Sequence, residues 1–561
     1  MNMKWIPYRG ESYLDYPATI EWCQSLAKAY PDWVKLEEIG MSRHGRPILL
    51  ITIGNMKGDY LSRPAFWTDG GTHASEWTGV MTVLYSVSKW IEGLSHNDKS
   101  LCEWFHRHTV FALPCISPDG FQALQQGEPF MRSTLRPPKE EEVRRGFEPC
   151  DVDDDNVVRW MRWKHPSGSF VIDEENPSLM RPRRLDDPTE KAYFFCQEGK
   201  FLQWDGISWT SASLKYGCDL NRNFPVFWKP YNMIGLDGGD YPLSEFESRL
   251  VFDTFVSRAY IAAAVTNHTY TGCILTAPHR PETPLPDSDI LMMEALAKEA
   301  VVGTGYRVFR FYPDFVYDPK NLITGAWDET ITCLFGIPAY STELWDPYGF
   351  CGIHQTNPAR EFIVPNFENI LQMMRKFSSL PNTMTAWKPF DHPQLGNVEI
   401  GGIDYLRTIR NPPVNFLAAE CQKGFQICDR IRKTLPDVYI KTKLIKFSEN
   451  IMKLECIFEN YGYLATNLLQ HAETLRYPPK SSVKMSVSDN IKIVEGMLEQ
   501  SVPSLDGWGM LSSIFKRHPT YAMLPQKSNA TKITWLLQGN GSITIQWKMG
   551  RAGKGIEKIN I

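Results

Sequence analysis

The stretch 69–77 reads DGGTHASEW, and within it His73 and Glu76 stand three residues apart between two apolar runs, PAFWT and TGVMTVLYSV. A hydrolytic zinc ion takes three protein ligands and keeps one position open for water, and a histidine and a carboxylate at this spacing can face one ion. Gly70 and Gly71 allow a sharp turn as the chain leaves a strand. The spacing alone is weak, because His279 and Glu282 in TAPHRPETPLPD repeat it inside a proline-rich loop. Company strengthens the first match. His268 in TNHTYTG follows the apolar run AYIAAAV, and Glu343 in STELWD follows GIPAY. A lone histidine at a strand end is usually a polar cap, and a lone glutamate there a solvated charge. Ligands of open α/β sheets gather outside the carboxyl ends of strands, however, and here four suitable groups fall at three such ends. A different chemistry is suggested by DVDDDN. Asp151, Asp153 and Asp155 are spaced like the start of an EF-hand loop, a candidate for calcium. Asn156 takes the place of the usual glycine and Arg162 that of the bidentate glutamate, so a solvated acidic loop is the competing reading.

These groups need a scaffold. TIEWCQSLAKAYPDW reads as an amphipathic helix, VKLEEIGMS and ILLITIG as strands, and AFWTDGG, TGVMTVLYSVSKWIEG and HTVFALPCI as strand, helix and strand. This rhythm predicts an α/β layered fold with a largely parallel sheet. It breaks over about 127–215, a long insertion rich in charge and proline, and resumes through EFESRLVFDTFVSR, AYIAAAVTNHTY, SDILMMEALAKEAVVG and GIPAYSTELW to a closing helix, NFENILQMMRKFSSL. The texture then changes. We divide the chain into a catalytic unit at 1–385, a linker and helical segment at 386–435, and an all-β sandwich at 436–561, where alternation has period two. Gly-Asn-Gly at 539–541, between two alternating runs, predicts a hairpin. No metal or nucleophile cluster is visible in the last unit.

Composition excludes several classes. With 561 residues, 43% hydrophobic and 22% charged, the chain is too long for one ordinary core. A net charge of −4 offers no basic face for nucleic acid, and no apolar run is long enough to span a membrane. The N-terminus, MNMKWIPYRGESYLDYP, carries charge and proline where a signal peptide has its apolar stretch. The 12 cysteines contain no C-x-x-C, so reduced thiols and a cytoplasmic location are expected, with export by another route left open.

Five motifs together carry a family resemblance over roughly residues 10–375. GTHASEW resembles the first zinc motif of the zinc metallocarboxypeptidases of the carboxypeptidase A type, the funnelins. LPCISPDGF resembles their Asn-Pro-Asp-Gly segment, with Ser117 for asparagine, and GCDLNRNFP matches their D-x-N-R-N motif. NHTYTG and STELWD complete the set in the family's order, and the β-rich C-terminal part is similar to a bacterial branch. The resemblance implies a carboxypeptidase-like α/β/α fold with a mixed sheet. It implies zinc on His73, Glu76 and His268, and Glu343 as general base. Arg132 in FMRSTLR would steady the oxyanion, although Met131 stands where the family has tryptophan and Arg136 is an alternative. Asn221 and Arg222 would grip a peptide's terminal carboxylate, Asp219 would orient a zinc histidine, and Tyr270 would line the cleft. The family's mobile tyrosine corresponds to Tyr317 or Tyr312. TGAWDET at 324–330 corresponds to the pocket floor, with Trp327 making it apolar and Asp328 a structural acid. The implied activity is removal of C-terminal residues from peptides with a free carboxylate. The alternatives are a peptidoglycan-peptide hydrolase or a deglutamylase on the same fold, and an inactive binding protein.

Overall fold

The computed structural model describes residues 5–137, 143–233, 235–509 and 528–561. A mixed sheet of eight strands forms the centre, in the order Val34–Met41, Pro47–Ile53, Thr109–Leu113, Ala65–Gly70, Ile261–Thr269, Ala339–Leu344, Cys273–Thr276, Arg307–Arg310. The four middle strands run parallel. Antiparallel pairings follow on both sides, so the sheet is less uniformly parallel than the βαβ rhythm predicts. Alternation along Ala65–Gly70 explains the layers. Phe66 points to Trp90 of the helix Trp77–Ser95. Trp67 points the other way, to Phe255 of the helix Phe246–Val256, which in turn meets Trp327. Helices therefore cover both faces.

Two glycines bring helix and strand ends together. A Cβ on Gly70 would lie 2.6 Å from the carbonyl oxygen of Gly79, and one on Gly79 would strike the carbonyl of Asn267. The first turn of Trp77–Ser95 thus sits directly on the carboxyl ends of two neighbouring strands.

The packing redraws the boundaries expected at 385 and 435. The helix Val414–Arg432 presents Leu417, Cys421, Gly424, Cys428 and Ile431 as one buried stripe and joins the main core. Gly424 has no side chain because Thr82 of Trp77–Ser95 occupies that space. The segment read as a linker is a hairpin, Met384–His392 with Gly396–Ile403. It pairs with Trp160–Lys164 of the insertion, and both belong to a six-stranded antiparallel sheet. Much of the insertion is therefore an ordered layer, stabilised by a strand supplied from far downstream in the chain, which pairs Ile400 with Met161, a partner that local patterns cannot reveal.

The C-terminal region holds two four-stranded antiparallel sheets around one core that includes Phe458, Trp535, Val483 and Ile545. The hairpin expected at Gly-Asn-Gly does not form. Ala530–Gln538 pairs within one sheet and Ser542–Met549 within the other, so the turn carries the chain across the sandwich. Ile533, Trp535, Ile543 and Ile545 all reach the shared core, which an arch between sheets satisfies as well as a hairpin. Against the main unit, the backbone N–H groups of Gln470 and His471 donate to Asp289 at 2.8 Å each. All 12 cysteines are free thiols. Among the described residues no helix is long and apolar enough to cross a membrane.

Candidate functional site

The turn between Ala65–Gly70 and Trp77–Ser95 presents His73 and Glu76. Gly71 takes φ 66°, and Ser117 Oγ donates to the carbonyl of Thr72 at 2.8 Å, holding the turn from below. His268 lies next to the end of Ile261–Thr269, in register with Glu343 of Ala339–Leu344. Adjacent parallel positions share a face, so the ladder itself sets these two side chains together.

His73 Nδ1 lies 2.9 Å from Glu76 Oε1, His268 Nδ1 lies 3.0 Å from Glu76 Oε2, and the two Nδ1 atoms are 3.1 Å apart. The outer ring nitrogens define the tautomers. His73 Nε2 faces Asp219 Oδ1 at 3.1 Å and so carries the proton. His268 Nε2 lies 3.3 Å from Thr266 Oγ1, which itself donates to Asp69 Oδ1 at 2.6 Å. Both Nδ1 lone pairs therefore point inward with the Glu76 carboxylate. Two bare imidazole nitrogens and a carboxylate within 4.8 Å of one another fit a zinc ion, with the outer shell already in place.

Arginines balance the acids. Arg132 donates to Glu76 Oε1 at 2.8 Å and approaches Asp219 Oδ2 at 3.3 Å. Burial opposes ionisation of Asp219, but Arg222, His73 and Arg132 outweigh it and hold the carboxyl well below its usual range. Burial likewise opposes ionisation of Glu76, and in the metal-free chain a protonated His73 together with Arg132 reverses it, holding the carboxyl well below its usual range. Glu343 is different: burial and the charge of Glu76 push its carboxyl up to about 8. A dication beside Glu76 reverses the sign of that neighbour.

These groups open on a cleft lined by Arg132, Arg222, Tyr270, Tyr317, Glu343 and Arg410 among others. Arg222 is buried, donates to the Asn221 carbonyl at 2.7 Å and stacks over Tyr231. Asn221 accepts from the backbone N–H of Trp327 at 2.8 Å through its amide oxygen, which orients the NH2 end as a donor. Of the two tyrosines, Tyr317 lines the cleft and Tyr312 is not among its lining residues. Arg136 pairs with Asp237 and Glu245 and is not among the residues lining the cleft, whereas Arg132 is.

Other expectations change. Trp327 does not form the pocket floor; it is fully buried, stacked on Phe224 and hydrogen-bonded to Asp69 at 3.0 Å. Phe311, Phe315, Ile323 and Ala326 line the inner recess instead. Asp328 is structural, 3.2 Å from His279 Nε2, which accounts for the second H-x-x-E histidine. The acidic trio also changes: Asp151 and Asp153 cluster with Glu198, while Asp155 turns away to an ion pair with Arg159 at 2.8 Å. Arg162, placed by sequence at the bidentate position, pairs with Glu399.

One cleft residue had no sequence signal. Arg410 donates to the Thr269 carbonyl at 3.1 Å, lies 3.5 Å from Glu76 Oε1 and faces the rings of Tyr270 and Phe130. Its Nε is buried and has no hydrogen-bond partner.

The zinc carboxypeptidase family model matches residues 19–351, more than half of the chain, and the chain belongs to that family of metal-dependent hydrolases. A second model, described as a domain of unknown function (DUF8731), matches residues 439–560, the two-sheet region. Carboxypeptidase B of Astacus astacus is 34% identical over 110 residues, 20% of this chain and 34% of that protein. Inactive metallocarboxypeptidase ECM14 of Ajellomyces capsulatus (strain H143) is 30% identical over 112 residues, 20% of this chain and 19% of that protein. The chain thus spans about a third or less of the length of these curated relatives. Carboxypeptidase A from Helicoverpa armigera aligns with a TM-score of 0.42 at 16% identity, over 65% of this chain and 74% of that one. Arg410 lies beyond the span that the zinc carboxypeptidase model matches.

Proposed function

We propose that this protein is a zinc-dependent carboxypeptidase that removes C-terminal residues from peptides. The observation that carries the reading is the convergence of two inward Nδ1 lone pairs and the Glu76 carboxylate beside Glu343 and three guanidinium groups in one cleft. His73, Glu76 and His268 would hold zinc, which when bound supplies Lewis acidity toward water and a carbonyl.

The remaining chemistry belongs to the chain's own residues. Glu343 is the general base: it takes a proton from the attacking water and returns it to the leaving amine. Arg132 sits where a guanidinium can stabilise charge developing on the scissile carbonyl oxygen. Arg222 and the Asn221 amide bind the terminal carboxylate, a planar fork suited to two oxygens. Tyr270 and Tyr317 wall the cleft and help exclude water. Arg410 adds a cation on the Tyr270 side, placed to hold a carbonyl or an acidic group of the peptide.

Metal analysis joined to a peptide assay tests the reading. The wild type should carry one zinc and trim free peptides by single residues, and chelation should stop it until zinc is returned. His73→Ala and His268→Ala should lose the metal. Full zinc occupancy in either variant would place the ion elsewhere.

A further inference from the structure

We infer that the insertion carries a second metal site, a calcium site built from Asp151, Asp153 and Glu198. One oxygen from each carboxylate lies within 4.8 Å of the others. The independent observation is Glu198. Its side chain is fully buried at 0% exposure, and its Oε2 has no hydrogen-bond partner. Asp151 Oδ1 is likewise buried and without a partner. The opposite oxygens are spoken for by backbone: Val152 N–H donates to Glu198 Oε1 at 3.3 Å, and Asn156 N–H to Asp151 Oδ2 at 2.7 Å. Asp155 N–H donates to Asp153 Oδ1 at 3.3 Å.

The charge is unmet. Arg159 is taken by Asp155 and forms no ion pair with the three clustered carboxylates. A buried carboxylate facing two others, with no cation between them, is strongly unfavourable. Burial first, and then Asp153, Asp151 and Asp155, push the Glu198 carboxyl up to about 8. A bound dication removes that penalty. The donor set is all oxygen, which selects a hard cation over zinc or copper. Calcium accepts irregular carboxylate and carbonyl geometry, whereas magnesium demands a near-ideal octahedron and keeps several waters.

The site's place in the fold gives it a task. A Cβ on Gly127 would lie 2.8 Å from the backbone of Asn156, so the acidic loop rests on the segment leading to Phe130 and Arg132. A cation there fastens the insertion to the chain that enters the catalytic cleft. This inference does not depend on the zinc reading.

Calorimetric titration of calcium chloride into the zinc-loaded full chain, in calcium-free buffer, tests it. The expected result is saturable one-to-one binding that weakens at least about tenfold in Asp153→Asn and in Glu198→Gln, with zinc content unchanged, since calcium affinity follows the charge count of its ligands. Asp153 is only partly buried, so its variant keeps the test decisive even where Glu198→Gln fails to fold. Absence of saturable binding up to ~10 mM calcium, beyond the weakest protein sites, overturns the assignment. Equal affinity in wild type and Asp153→Asn overturns it too.

Discussion

The two carboxylate clusters of this protein are met by opposite surroundings. Around His73, Glu76 and His268 the acids are matched by fixed cations: Arg132 reaches Glu76 and Asp219 together, with Arg410 also close to Glu76. Ligand geometry and proton positions there are set by the protein before any metal arrives. Around Asp151, Asp153 and Glu198 no arginine or lysine forms an ion pair with the clustered carboxylates among the described residues, and Glu198 rises to about 8. A site for chemistry needs its charges preorganised. A site that only fastens a loop can leave charge balance to the ion.

The sharpest separation of metal binding from chemistry is Glu343→Gln. The amide keeps the shape but cannot accept the proton of water, so turnover should fall about 10²–10⁴-fold while zinc content stays at one per chain. Loss of zinc together with activity would mean that the central site is not set by its own charges. Next in size is Arg410→Ala. Removing a charged hydrogen-bond donor costs about 1.5–3 kcal/mol, which corresponds to roughly 10- to 150-fold in kcat/KM, again with zinc retained. Arg410→Lys should recover part of this on substrates with an acidic residue near the C-terminus. Wild-type kinetics in Arg410→Ala would reduce Arg410 to a packing residue.

The smallest effect concerns pH at the second cluster. Glu198 is raised in the folded state, so between its ordinary value of 4.5 and about 8 the native chain holds a proton that the unfolded chain releases. Without calcium, stability therefore falls as pH rises through that window. Calcium binding must displace the proton, so affinity should climb by up to about tenfold per pH unit toward pH 8 and then level off. Titrations at several pH values read this directly; a flat profile would mean that Glu198 is not a ligand.

The zinc-site candidates were legible because they stand at or just beyond the ends of apolar strands, where type and position speak together. Arg132, Asn221 and Arg222 were legible through motifs that fix their neighbours. Arg410 was not, because its place depends on how the 404–435 segment folds back over the sheet. The buried stripe from Leu417 to Ile431 is visible as a helical period, yet nothing local says that it packs on Thr82 rather than standing in a linker. Glu198 was missed for the same reason: it reaches Asp151 from the bend between the strands Tyr193–Gln197 and Gly199–Leu202, far along the chain from the acidic loop. The Gly-Asn-Gly turn misled because an arch between sheets and a hairpin use the same alternating pattern on either side.

Recognition of a free C-terminus is the property on which the carboxypeptidase reading stands. The most direct measurement compares one peptide as its free acid and as its C-terminal amide, by mass spectrometry, with wild type and Arg222→Ala. A buried guanidinium paired with a carboxylate is worth roughly 2–5 kcal/mol when one partner is removed, or about 30- to several-thousand-fold in kcat/KM. The wild type should take single residues from the acid and leave the amide nearly untouched. Arg222→Ala should be slower on the acid by that factor and discriminate far less between the two. Equal cleavage of acid and amide by the wild type, or cuts at internal bonds, would contradict the assignment.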